Sequence, residues 1–244
     1  MTKYLLLSII VLLFIKIEAQ PLFDAYEDKN YDKLKELLEN GADPNQTKES
    51  NGVTLMFDAA WNNDLKIVKL LYTYGGKVDM PSGNDKITPI LPACQENAFD
   101  TIKFLVNHGA KVDRQFEAAG NQTPIRFACK TGNVALIDFL LENGASLESQ
   151  TNDGITPIIQ AARSDHYNLV KYLINKGADV NVHARDNECA LNQAIKNNNI
   201  KIVKLLLDNG ATTNYKDDNG MNSLELAKKS NNRKLKRIIR KASH

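Results

Sequence analysis

A glycine recurs through this chain at intervals of 34, 34, 35, 33 and 33 residues, at Gly41, Gly75, Gly109, Gly144, Gly177 and Gly210. The segments around them, ENGADPN, TYGGKVD, NHGAKVD, ENGASLE, NKGADVN and DNGATTN, are variants of one another. A second marker precedes five of these glycines by 21 residues, at Thr54, Thr88, Thr123, Thr156 and Cys189. That distance never varies, so every change in repeat length falls between a glycine and the next marker. The pattern describes a rigid core of 22 residues, repeated along the chain and joined by elastic loops. A unit of about 33 residues cannot bury a core alone, so the chain must fold as an array of stacked units.

Within a unit the apolar residues are spaced for helices. Thr88 and Pro89 read as N-cap and first-turn residue, followed by Ile90, Ala93 and Cys94 at i, i+3, i+4. After a polar break at Asn97, Ile102, Phe104, Leu105 and Val106 mark a second helix, which Gly109 ends as a left-handed C-cap. Each unit is therefore two short antiparallel helices and an extended turn.

These units resemble ankyrin repeats, on the strength of TPIIQAA…LVKYLINKGADVN from Thr156 to Asn181. The resemblance extends from about Pro21 to Lys241. It implies an all-α helix-turn-helix solenoid of about five full repeats, with a shortened first unit (Pro21 to Asn45) and a last unit from Asp218 as caps. The family's histidine after its TPL segment is replaced here by Phe57, Leu91, Arg126, Ile159 and Asn192. The hydrogen bonds that this histidine makes between turns are thus expected to be missing.

Residues 1–19, MTKYLLLSIIVLLFIKIEA, place Lys3 before an apolar run from Leu5 to Ile15 and end on Ala19. That order is the signature of a secretory signal, cut after Ala19, and predicts an exported protein in the periplasm or outside the cell; a retained membrane anchor flanked by Lys16 is the alternative. Residues 20–244 then form the solenoid. Residues 20–227 carry 21 Lys and Arg against 28 Asp and Glu, while residues 228–241 carry eight basic residues and no acidic one. An acidic body with a basic capping helix (228–244) argues against a nucleic-acid binder, and no aromatic interleaves Lys228–Lys241. A solubilising cap, or weak contact with an anionic surface, is what that segment suits.

No chemistry is legible. His108, His166, His183 and His244 are not spaced as a metal or catalytic motif, and no phosphate loop or nucleophile elbow occurs. The turn aspartates Asp43, Asp79, Asp113 and Asp179 suit backbone hydrogen bonding. Catalytic residues, metal ligands and cofactors are expected to be none. Cys94 and Cys129 share one slot in consecutive units; packed helices lie about 8–10 Å apart and a disulfide needs Cα atoms within about 7 Å, so they should stay unbridged. Cys189 reads as a drifted cap. Asn45 and Asn121 open Asn-x-Thr sequons that overlap repeat signals.

A candidate binding face remains. The residue after the small pair of each first helix should point away from the core, on the concave side of the stack. Down the chain this slot holds Glu27, Trp61, Gln95, Lys130, Arg163, Lys196 and Lys229. The last four are basic at one-repeat intervals, which predicts a protein partner with an acidic surface. Trp61 would be an exposed aromatic anchor, and Phe127, Phe116 and Tyr215 would extend the apolar contact. The resemblance implies protein recognition. Joined to an export signal, it suggests a monomeric inhibitor or immunity-type protein acting on an enzyme or toxin. A secreted effector that binds host proteins, and a polyanion or envelope-surface binder, are the alternatives.

Overall fold

A computed structural model describes residues 19–243, so the export signal read in residues 1–19 lies outside the described residues apart from Ala19. The chain divides into two compact units, Met1–Lys111 and Val112–His244. The first holds three helix pairs: α1 (Ala19–Glu27) with α2 (Tyr31–Glu39), α3 (Leu55–Trp61) with α4 (Leu65–Thr73), and α5 (Ile90–Gln95) with α6 (Phe99–Asn107). The second holds four: α7 (Pro124–Cys129) with α8 (Val134–Glu142), α9 (Pro157–Arg163) with α10 (Tyr167–Asn175), α11 (Ala190–Lys196) with α12 (Ile200–Asp208), and α13 (Ser223–Lys229) with α14 (Arg233–Ala242). Between the described residues only isolated bridges, such as Ser82 with Ile87, occur in place of strands.

Within each unit the stacking is by layer. In the first, α3 packs on α4 and α5, while α4 packs on α2 and α6. In the second, α7, α9, α11 and α13 form one layer and α8, α10, α12 and α14 the other. The first-helix layer can close tightly because small residues lie at its contacts. Ala59, Ala60, Ala93, Cys94, Ala128, Cys129, Ala161, Ala162, Ala194 and Ala227 are all fully buried. The second helices fill the opposite side with branched residues spaced i, i+1, i+4, such as Leu169, Val170 and Leu173 or Ile202, Val203 and Leu206. Burying those side chains against neighbours is what stabilises helices of six to ten residues, which are too short to persist alone.

The six repeat glycines end the second helices with φ between +85° and +101°. A Cβ added at Gly177 would meet nothing within 4 Å, so the backbone conformation, not space, calls for glycine there. Gly132 is different. Its φ is +72° and a Cβ would approach His166 Nδ1 to 2.6 Å. His166 sits at the N-cap of α10 with its Nε2 2.8 Å from the Lys130 carbonyl, the close approach that Gly132 permits. The longest glycine-to-threonine loop, from Gly109 to Thr123, holds the 3-10 turn Glu117–Ala119.

Two expectations need correction. Thr54 does cap α3, its hydroxyl accepting from Phe57 N. The hydroxyls of Thr88, Thr123 and Thr156, however, are buried without a hydrogen-bond partner among the described residues, and α5 starts one residue later than expected, after Pro89. In all three a proline follows the threonine; Leu91 and Ile159 stand where the family's histidine would offer a polar group, and Arg126 in that position turns its guanidinium to Gln122 instead. In the repeat with Asn192 in that slot, the polar contact returns: Ser223 Oγ donates to Asn192 Oδ1 at 2.8 Å. Phe116, placed by the sequence on the apolar face, is instead buried at 3% exposure. Cys94, Cys129 and Cys189 are buried and none takes part in a disulfide.

Candidate partner-binding site

In the first unit the slot after the small pair ends α3 and α5. Trp61 is 45% exposed, its ring tilted against Phe57 with centroids 5.8 Å apart. Gln95 is exposed and reaches only its neighbour Glu96. Glu27, at the end of α1, is paired with Lys48 at 2.5 Å, and the same ammonium lies 3.8 Å from Asp58 and 5.3 Å over the Phe23 ring. The charges of this unit's slot are therefore already balanced, and Trp61 is its protruding feature.

The second unit presents cations. Lys130, Lys196 and Lys229 are exposed, and Arg163 is half-buried, each at the C-terminal end of a first helix. Cations are favourable there because the helix dipole leaves partial negative charge on the last carbonyls. They differ in what faces them. Glu188 takes Arg163 on one carboxylate oxygen and Lys196 on the other, both at 2.6 Å. Lys130 forms no ion pair among the described residues; its Nζ lies 4.2 Å over the Phe127 ring. Arg126, one turn earlier on the same face, lies with its guanidinium 5.7 Å over that ring and donates from Nη1 to Gln122. Burial, reinforced by the Arg163 charge, lowers the Arg126 pKa, with Asp153 opposing. Burial followed by Arg126 and Arg163 lowers that of Lys130. Tyr215 is 45% exposed against the His183 ring, and burial moves His183 below its ordinary value.

Two family models match: ankyrin repeats (3 copies) over residues 22–116 and 114–184, and ankyrin repeat over residues 186–214. The chain belongs to the ankyrin repeat family. Among solved structures it is similar to the human ASB11 ankyrin repeat domain, at 23% identity and a TM-score of 0.80, covering 92% of this chain and 98% of that one. That likeness shows the fold. No curated protein matches the chain. Ankyrin repeats bind other proteins, and the solenoid is an interaction scaffold.

The sequence reading placed Trp61, Gln95, Lys130, Arg163, Lys196, Lys229 and Phe127 on one face. The structure leaves all but Arg163 and the half-buried Phe127 exposed, and it brings Phe127 against Lys130. It also adds two residues that the reading passed over as site members. Arg126 was noted only as a departure from the family's histidine, and Glu188 not at all. A signal for Glu188 existed. Eight residues before each basic slot stand Gln122, Ile155, Glu188 and Met221, so one of the four repeats carries its own carboxylate. Among the described residues no group of His, Cys, Asp and Glu could hold a metal ion. The sequon side chains are engaged: Asn45 Nδ2 donates to the Gly75 carbonyl at 3.0 Å and Asn121 Nδ2 to Asn152 at 2.7 Å.

Proposed function

We propose that this ankyrin repeat protein is exported and binds another protein non-covalently, without catalysis, as a monomeric inhibitor or immunity-type protein restraining an enzyme or toxin in the same compartment. Export rests on the charged, apolar and small-residue order of residues 1–19. No described helix is long and apolar enough to cross a membrane. The observation that carries the binding surface is the row of cations ending α7, α9, α11 and α13, of which Lys130 and Lys229 form no ion pair among the described residues. Such a row favours an acidic partner and steers its approach.

The test is affinity capture from the envelope and culture medium of the producing cells, followed by mass spectrometry and N-terminal sequencing of the bait. A mature start at Gln20 and an exported hydrolase or toxin as partner support the proposal. A chain still beginning at Met1 overturns export, and a host protein as partner favours the effector reading. A second reading rests on α14. Its Leu235 and Ile239 are buried, while Arg233, Lys234, Arg237, Arg240 and Lys241 are exposed. That face suits an anionic polymer or surface, and binding to such a polymer that survives Trp61→Ala would favour it.

A further inference from the structure

The repeat symmetry of the second unit exposes a mismatch at α7. Glu188 and Gln122 occupy equivalent positions, each directly before the first residue of the repeat core and eight residues before a basic slot. Where the position is glutamate, its carboxylate joins Arg163 and Lys196 at 2.6 Å each. Where it is glutamine, the amide oxygen accepts from Arg126 and supplies no charge. Arg126 is only 8% exposed, yet its Nε has no acceptor among the described residues. Asp153 is the carboxylate whose field reaches it, and that carboxylate accepts from the Thr151 hydroxyl and lies 3.5 Å from Ile155 N. Lys130, four residues on and over the same Phe127 ring, likewise has no carboxylate. Two cations on one helical turn thus share an aromatic platform and no ion pair among the described residues. Asp153 acts on Arg126 through its field without contact, and for that buried guanidinium incomplete compensation is costly.

We infer that Arg126, Lys130 and Phe127 form an anion-receiving site that takes a carboxylate side chain from an acidic segment of a protein partner, supplying the charge that Glu188 supplies from within two repeats later. The Glu188 arrangement shows the same chemistry elsewhere in this unit, one carboxylate between two cations, there the slot residues Arg163 and Lys196, whereas Arg126 stands in the position that Asn192 holds in the Glu188 repeat. A carboxylate beside Lys130 meets its ammonium directly and the fields of Arg126 and Arg163, while the Phe127 ring accommodates the methylenes of a glutamate. The inference rests on the protein-binding reading for the natural source of the carboxylate, and the pocket itself is testable without it.

The probe is a hexaglutamate peptide, added to the purified protein at fixed ionic strength and followed by calorimetry and by side-chain NMR of the Arg126 guanidinium. Binding with a shift of the Arg126 signal is expected. Gln122→Glu, which places a carboxylate at the Glu188-equivalent position, and Lys130→Met should each weaken the peptide about tenfold, the low end of what is lost with one partner of a close charge pair. Both variants should unfold at or above the wild-type temperature, which separates lost binding from lost fold. Unchanged affinity in both variants, no binding to the wild type, or tighter binding of inorganic phosphate than of the peptide would overturn the site. A captured partner that Gln122→Glu still binds fully overturns this pocket and leaves the protein-binding reading standing. Peptide binding that both variants weaken upholds the pocket even if no protein is captured.

Discussion

In the first unit the slot after the small pair holds Glu27, Trp61 and Gln95; in the second it holds Lys130, Arg163, Lys196 and Lys229. The layers beneath are alike. Leu71 in α4 and Leu173 in α10 are equally buried, and alanine pairs line both first-helix layers. A slot that differs so much over cores that differ so little is not set by packing. What differs is how charge is settled. The first unit balances its slot acid with Lys48, on the far side of a turn. The second leaves two of its four slot cations without an ion pair among the described residues and shares a single glutamate between the other two, so that one positive charge of that group stays uncompensated.

The comparison breaks first at the cores. Leu71→Ala and Leu173→Ala should each cost about 3 kcal/mol, the usual range for emptying a buried leucine site. Hydrogen exchange would show whether each loss stays within its own compact unit, as expected, or spreads through the chain. Next comes Trp61. If the first unit contributes an aromatic anchor, Trp61→Ala weakens the captured partner by about 2 kcal/mol, chiefly through faster dissociation. The second unit should act on the other rate: changing Lys130, Arg163 and Lys196 together to Glu is expected to slow association about tenfold at low salt and less at high salt. Equal reversal at Lys69, Lys103 and Lys204 on the second helices is the control. A matching loss there would reduce the basic row to a solvated face.

Smaller effects separate individual repeats. Thr54→Val removes a hydroxyl that caps α3 and should cost about 1 kcal/mol in thermal unfolding. Thr156→Val removes a buried hydroxyl without a partner among the described residues and should be neutral or stabilising. The Glu188 latch gives the smallest signal. Burial pushes its carboxyl up, but hydrogen bonds from Lys196 and Arg163, with their charges, outweigh this and hold it below the ordinary range. A folded value below the unfolded one, about 4.3, adds stability above that pH, which is lost as pH falls through the folded value. Glu188→Gln should therefore flatten the acid limb of the stability profile.

The stacked fold was legible because period and spacing are properties of the chain itself. The glycines that end six of the seven second helices, and the i, i+1, i+4 buried residues of the five full repeats, lie where the repeat predicts. The slot's orientation was legible for the same reason, since it follows from helical geometry. Pairing was not. Arg163 and Glu188 lie 25 residues apart, and Glu188 sits in an irregular turn whose side-chain direction no periodicity fixes. The threonine caps mislead because TP reads as cap and first turn, whereas the hydroxyls of Thr88, Thr123 and Thr156 are buried with no hydrogen-bond partner among the described residues. Phe116 misled because a residue in a turn was taken as exposed, while the 3-10 turn that follows it folds it inward.

The confinement of every length change to the stretch between glycine and threonine has a consequence for how such a chain diverges. The register of both helix layers is set inside the 22-residue core, so an inserted or deleted loop residue leaves the spacing of the two helices unchanged. Gly109 to Thr123, the longest of these loops, absorbs its extra residue with a 3-10 turn while the core that follows keeps its spacing. Length changes are therefore confined to the loops, and each unit carries its own glycine stop and slot residue. A slot residue rewritten in one unit leaves the buried layers beneath it unchanged, and only a shared turn carboxylate such as Glu188 makes two neighbouring slots change together.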